Sequence, residues 1–354
     1  MTRLEKIRLA MREHGFDALI VFDELNQRYL SDFAFTDGLL LITAKSAYML
    51  TDFRYYEMAL QDASREFKVE MTSERDELIS GVFSEEGIRT VGFEGGFVSF
   101  ELYERYCKKF PAQSFQSVGN MIEEARQVKS EDELEKIARA QQITDRAFSH
   151  MLGILTPNMT EIEVAAELEY FMRRDGADGF AFDTIAVSGD ASALPHGTPR
   201  REKLKAGFLT MDFGARLGGY CSDMTRTVVI GAADAEIKKI YNTTLRAQEA
   251  ALAFLKAGVD AGEADKVARD IIDKEYEGAF GHSLGHSVGL FIHEQPSLSK
   301  RSFGRALRAG EVVTVEPGIY IFGKYGCRIE DMVAITEGGI RNFTASTKEL
   351  IEII

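Results

Sequence analysis

Three histidines, His282, His286 and His293, fall within twelve residues of one another, and a fourth, His196, lies upstream in a stretch punctuated by Gly and Pro. Loops and strand ends of that kind are where binding and catalytic side chains concentrate. An imidazole placed there serves as a proton carrier, a hydrogen-bond donor or a metal ligand. His14 and His150 fall in helical patterns and read as structural or surface residues.

Acidic residues in apolar company supply the second kind of chemistry. Phe208-Leu-Thr-Met-Asp212-Phe-Gly and Tyr220-Cys-Ser-Asp223-Met-Thr-Arg-Thr-Val-Val-Ile both read as strands, joined by Ala215-Arg-Leu-Gly-Gly219. A two-residue turn at Leu217-Gly218 predicts a hairpin in which Asp212 faces Asp223. Directly opposed side chains share a face with Cβ atoms roughly 4.5–5.5 Å apart. Two carboxylates so placed repel each other and are costly to bury. Either a cation sits between them, or each finds an Arg or a backbone donor, for which Arg216 and Arg226 are available.

The arrangement recurs downstream. Glu311-Val-Val-Thr-Val-Glu316 runs into a Pro-Gly turn, and Arg328-Ile-Glu330-Asp-Met-Val-Ala-Ile is a strand that can return beside it. By alternation Arg328 and Glu330 share one face and Asp331 takes the other. Four acids and an imidazole then have a common reason to converge, because two divalent cations would neutralise four carboxylates. Oxygen-rich ligation with one nitrogen suits Mn²⁺ best, with Co, Zn or Fe as alternatives.

Two partial motifs point elsewhere and fail. Asp212-Phe-Gly matches the metal tripeptide of protein kinases, but no Gly-rich phosphate loop or catalytic-loop signature accompanies it. His282-Ser-Leu-Gly-His286 has the zincin spacing but lacks the Glu after the first His, and Gly285 weakens a helix there.

The elements that must position these residues fall into two domains, expected at 1–124 and 125–354. The first alternates short strands and helices. A capping box at Thr2-x-x-Glu5 opens a helix to His14, strands follow at Asp17–Phe22, Gly38–Thr43, Ala47–Thr51, Phe67–Met71 and Thr90–Phe93, and helices at Phe53–Gln61, Ser73–Glu86 and Ser99–Phe110. This is an α/β domain. The second opens with helices capped at Ser130-x-x-Glu133 and Thr160-x-x-Glu163, continues as strands from Asp183 to Ile230, and adds helices over Asp234–Leu255 and Asp260–Tyr276 before further strands. That segregation predicts an α+β domain. No repeat is visible.

Composition bounds the rest. Of 354 residues, 45% are hydrophobic and 28% charged, which is ordinary for a globular chain. A net charge of −14 with no basic stripe argues against nucleic acid. No run approaches the ~20 apolar residues of a membrane span, and the N-terminus lacks a secretory signal pattern. Three widely spaced cysteines, Cys107, Cys221 and Cys327, form no disulfide framework or zinc motif, so a reducing cytoplasm is expected.

At the chemistry-bearing residues the chain resembles the pita-bread peptidases (family M24), which include methionine aminopeptidase, aminopeptidase P and prolidase. The matching segments are LPHGTP (194–199), LTMDFG, YCSDMTRT, GHSLGHSVGLFIHEQP (281–296), VVTVEPGIY (312–320), CRIEDMVAIT (327–336) and the terminal KELIEI, with TDFRYYE (51–57) and EARQVKSEDELEKI (124–137) nearer the N-terminus. A substantial N-terminal domain resembles the proline-specific branch, with its creatinase-like α/β domain ahead of an α+β pita-bread catalytic domain. The resemblance implies Asp212, Asp223, His286, Glu316 and Glu330 as ligands of two divalent ions per subunit. It implies Glu316 also as general base, His196 and His293 as the histidines that orient substrate and stabilise the tetrahedral intermediate, and His282 and Arg328 as substrate-binding residues lining the site. It also implies a homodimer. The pattern departs at Ser287, where the family has Gly and where a hydroxymethyl group could narrow the pocket, and at Thr347, where the tail often has Pro.

The chemistry implied is hydrolysis of an Xaa-Pro bond at a peptide N-terminus, the substrate carrying proline second. Water bridging two cations ionises near neutral pH and attacks the scissile carbonyl. Phe182, Tyr220 and Tyr320 are candidates to pack the proline ring. A dipeptidase needs in addition a cation for the substrate carboxylate. In prolidase-like relatives an Arg closely follows HExP; here Ser297 follows Pro296, and Lys300, Arg301 and Arg305 lie further on. The expectation is therefore an Xaa-Pro aminopeptidase, with Xaa-Pro dipeptidase as the alternative. A metal-free creatinase-like hydrolase and a non-catalytic peptide-binding module are opposed by the intact ligand pattern.

Overall fold

The computed structural model describes residues 1–354 and divides into two compact units, Met1–Arg126 and Gln127–Ile354. No helix is long and apolar enough to cross a membrane.

In the first unit the strands Ala18–Val21 and Leu39–Thr43 are buried along their whole length. Such unbroken apolar runs need cover on both faces. They lie at the centre of a six-stranded mixed sheet, paired antiparallel to each other. Parallel neighbours at Thr90–Phe93 and Ser114–Ser117 extend one side. Ala47–Thr51 and Lys68–Met71 extend the other. The capping box at Thr2 and Glu5 forms as the sequence predicts. A short helix, Glu24–Ser31, was not expected: its N-cap Asp23 accepts from Leu25 N–H, but no capping box or long periodic face announces it.

The second unit is built twice over. Helices Glu131–Ile154 and Glu161–Arg174 pack Ala147, Met151, Val164, Leu168 and Met172 against Leu209, Met211, Phe213, Met224 and Val228 of a four-stranded sheet. Helices Ala235–Phe254 and Ala261–Asp273 pack Ala247, Ala251, Ala264, Ala268 and Ile272 against Val313, Val315, Val333 and Ile335 of a five-stranded sheet. Even the caps correspond. Leu155 and Leu255 end the longer helices, and Thr160 and Asp260 begin the shorter ones. The repeat escapes the eye because it preserves apolarity and cap chemistry, not residue identity. Each sheet turns one face to its helix pair, so its alternate side chains point to the opposite side. Those alternate positions carry the acids.

Candidate active site

The first hairpin forms, with its turn one residue further along and its pairing register two residues away from the expected one. Leu217 pairs with Tyr220, so the turn is Gly218-Gly219, with φ of 58° and 86°. Two consecutive positive φ values define a turn that Gly adopts at no steric cost. The ladder then pairs Asp212 with Thr225, not with Asp223. Asp223 lies two residues before Thr225 and therefore on the same face, diagonal to Asp212. The acids still meet. Ligand oxygens of Asp212, Asp223 and Glu330 all lie within 4.8 Å of one another.

The second strand pair sets its acids directly opposite. Val315 pairs with Asp331 and, beyond a break, Gly318 pairs with Arg328. That shared register brings Glu316 opposite Glu330. Thr314, two residues before Glu316, accepts the His286 backbone N–H at 3.1 Å and donates to Glu316 Oε1 at 3.1 Å. Gly285 makes this approach feasible, since a Cβ there would lie 2.0 Å from the Thr314 carbonyl oxygen.

His286 completes the group. Its Nε2 is 3.5 Å from Asp223 Oδ2 and 3.4 Å from Glu316 Oε1, while Nδ1 lies 3.2 Å from the Ser287 carbonyl. A carbonyl can only accept, so the proton belongs on Nδ1 and the Nε2 lone pair faces the acids. Burial, with His293 nearby, pushes the His286 pKa down to about 4.

Four carboxylates and one guanidinium thus share the site. Arg328, buried, donates to Asp212 Oδ2 at 2.6 Å, to Tyr320 Oη at 2.8 Å and to Thr225 Oγ1 at 3.0 Å. It plays the part for which Arg216 and Arg226 were candidates. Arg216 is exposed, and Arg226 pairs with Asp331 on the opposite side of the strands. Burial and then mutual repulsion hold the carboxyls of Asp223 and Glu330 well above the usual range. Burial likewise raises Glu316, to about 8. One Asp212 oxygen, Oδ1, is buried without a hydrogen-bond partner. Excess buried negative charge, an orphaned carboxylate oxygen and a neutral imidazole whose Nε2 faces two of the acids fit a cation. Asp212, Asp223 and Glu330 form a site able to hold a metal ion.

A cavity of about 540 Å³ opens over this group, lined also by Phe182, Ile185, Pro195, His196, His282, Ile292, His293 and Ser297. Every histidine singled out in the sequence therefore reaches it. His282 Nδ1 faces the Ser283 carbonyl at 2.9 Å, leaving Nε2 to accept from Tyr320 Oη at 2.9 Å. Burial and the Arg328 charge lower the His282 pKa to about 4. His293 is lowered as well, by burial and by His196. Of the aromatic candidates, Phe182 lines the cavity, whereas Tyr220 is buried and donates to Glu133 Oε1. Ser287 does not narrow the cavity; its hydroxyl turns away to Lys129.

Sequence reasoning missed Thr225 and Thr314. Thr225 donates to Glu330 Oε2 at 2.7 Å while accepting from Arg328, and so joins the two strand pairs. The only signal was their position: each lies two residues from an acid on the same face.

A catalytic unit of paired helices and sheets, with carboxylates and an imidazole at the centre, is that of a metallopeptidase. The chain belongs to metallopeptidase family M24, whose model matches residues 135–337; the creatinase/prolidase N-terminal domain matches residues 3–128. It is 38% identical over 352 residues to an Xaa-Pro dipeptidase of Pyrococcus horikoshii, covering 99% of this chain and 98% of that one. Its fold matches the structure of an Xaa-Pro dipeptidase from Bacillus anthracis with a TM-score of 0.94 and 41% identity, covering 99% of each chain. It matches an X-Pro aminopeptidase from Thermotoga maritima with a TM-score of 0.91 and 37% identity, covering 98% of this chain and all of that one.

Proposed function

We propose that the protein is an Xaa-Pro dipeptidase that uses two divalent metal ions, Mn²⁺ by preference, held by Asp212, Asp223, His286, Glu316 and Glu330. The observation that carries the metal is the buried excess of carboxylate over guanidinium around His286 Nε2. Full-length likeness to Xaa-Pro dipeptidases of two organisms supports the substrate class. This reverses the order expected from the residues after Pro296.

When bound, the ions supply Lewis-acid polarisation of the scissile carbonyl and a nucleophile at neutral pH. The chain's residues do the rest. Arg328 holds Asp212 Oδ2 and leaves Oδ1 free of other hydrogen bonds to serve as a ligand. Glu316, fixed by Thr314, takes a proton and passes it to the leaving nitrogen. His196 and His293 donate to the developing oxyanion, each on the order of 3–4 kcal/mol if they act as other oxyanion donors do. His282 is kept neutral and oriented by Ser283 and Tyr320 as part of the cavity wall. Phe182 and Ile292 offer apolar surface to a proline ring, whose nitrogen in the peptide bond has no hydrogen to recognise.

A second function, Xaa-Pro aminopeptidase, has one specific feature in its favour. The only Lys or Arg lining the cavity is Arg328, already paired with Asp212. Arg305 is committed to Glu311. Turnover of Ala-Pro against Ala-Pro-Ala by Mn²⁺-loaded protein separates the two. A dipeptide preference in kcat/KM of at least tenfold is expected, and a tripeptide preference overturns the dipeptidase assignment.

A further inference from the structure

A buried ammonium lies behind the imidazoles, and nothing in the chemistry above uses it. Lys129, its side chain 1% exposed, donates from Nζ to Ser287 Oγ at 3.0 Å and to Glu294 Oε2 at 3.2 Å. Ser287 and Glu294 oppose each other across the antiparallel strands Gly285–Ser287 and Glu294–Leu298, where the register shifts between His286 and Ser287. The residue before each is an active-site histidine. Successive side chains of a strand point to opposite faces. His286 and His293 therefore face the cavity, ring centroids 4.5 Å apart, while the hydroxyl and the carboxylate face Lys129.

The carboxylate also holds the turn between them. Glu294 Oε1 accepts Phe291 N–H at 3.1 Å, and the carboxylate lies so close to Gly289 that a Cβ there would come within 2.5 Å of it. The path from Gly289 to His293 is thereby anchored to the same ion pair that touches the residue after His286. A buried ion pair tolerates little displacement, because loosening it strands a charge away from water. Ser287 gains a purpose as well: where the resembling motif has Gly, the hydroxyl gives the ammonium a second acceptor.

We propose that Lys129 is a positioning residue for the metal centre, its ammonium fixing Ser287 and Glu294 and through them the rings of His286 and His293. This rests on the proposed roles of those histidines, not on which Xaa-Pro substrate is cleaved. The alternative is that Lys129 only anchors the chain ahead of helix Glu131–Ile154, in which case its loss lowers stability and leaves the centre unchanged.

The test uses the full chain with Co²⁺ as the probe. Affinity is read by calorimetry, ligand geometry by visible absorption, and kcat and KM on Ala-Pro. Lys129→Met is expected to weaken Co²⁺ binding roughly 10–100-fold, as loss of a group supporting a ligand does elsewhere. It should also change the absorption bands and lower kcat more than it raises KM. Lys129→Arg should recover most of this. Unaltered Co²⁺ affinity and absorption in Lys129→Met, with only the unfolding midpoint lowered, overturns the proposal. If Lys129→Met does not fold, Ser287→Ala decides: altered absorption and weaker binding support the proposal, and wild-type values overturn it. Wild-type protein that binds no Co²⁺ defeats the metal-site assignment and this proposal with it. Wild-type binding alongside an indifferent Lys129→Met defeats the positioning role alone.

Discussion

The two sides of the acid-bearing strands treat charge in opposite ways. On the cavity side Asp212, Asp223, Glu316 and Glu330 meet with Arg328 as their one guanidinium. On the other side Arg226 and Asp331, each 1% exposed, pair at 2.7 Å, and Lys348 and Asn342 also donate to Asp331. The residues are sequence neighbours: Arg226 follows Thr225, and Asp331 follows Glu330. One side is neutralised by protein alone and holds the two strand pairs together. The other is left short of positive charge, with three of its acids grouped as a site able to hold a metal ion. A buried acid is thus informative when its partners are counted, not when its burial is noted.

The largest effect that would sharpen the contrast is at Glu316. Glu316→Gln keeps the shape and the Thr314 contact but removes the proton carrier. Turnover should fall ~10²–10⁴-fold, the usual worth of a general base, with the circular dichroism spectrum unchanged. Undiminished turnover would remove Glu316 from the mechanism. Next in size is Arg226→Met on the neutralised side. Stranding Asp331 should cost ~3–5 kcal/mol of stability, read as a lowered urea midpoint. Metal affinity per folded molecule should hold. A variant as stable as wild type would mean that Lys348 and Asn342 suffice for Asp331.

The gentlest test is pH. Ordinary Glu and Asp lose their protons near pH ~4. In the folded protein without metal, Glu316 keeps its proton to about 8, and Asp223 and Glu330 are also raised, because burial and neighbouring carboxylates oppose the charge. Below pH ~6.5 the unfolded histidines bind protons that His282, His286 and His293 do not bind in the folded protein, which offsets the acids; above it the folded state binds more protons than the unfolded one, and stability falls as pH rises. The unfolding midpoint with chelator should drop between pH 7 and pH 8.5. With Mn²⁺ the cation replaces the protons and the drop should be lost. A flat profile with chelator would show that the acids are already neutralised by the protein.

Local features were legible without the fold. The capping boxes at Thr2, Ser130 and Thr160 form as predicted, since each needs only residues three apart. The cluster His282, His286 and His293 and the four acids stood out by type and by punctuation. What failed was register. Moving the turn from Leu217-Gly218 to Gly218-Gly219 exchanged Thr225 for Asp223 opposite Asp212, and the acids met only because diagonal neighbours share a face. The helix Glu24–Ser31 and the doubled architecture of the second unit went unseen, one too short and the other too diverged to signal itself.

By itself the sequence determined which side chains are available, where the helices begin, and which strand positions alternate, because these depend on near neighbours and on side-chain chemistry. Only the tertiary structure decided that Arg328, not Arg216 or Arg226, takes Asp212, that Thr225 joins the two strand pairs, and that Lys129 reaches behind the histidines. Those contacts span from 103 to 165 positions of chain. They exist because two sheets pack together, and no local pattern encodes which pairs that packing will bring within bonding distance.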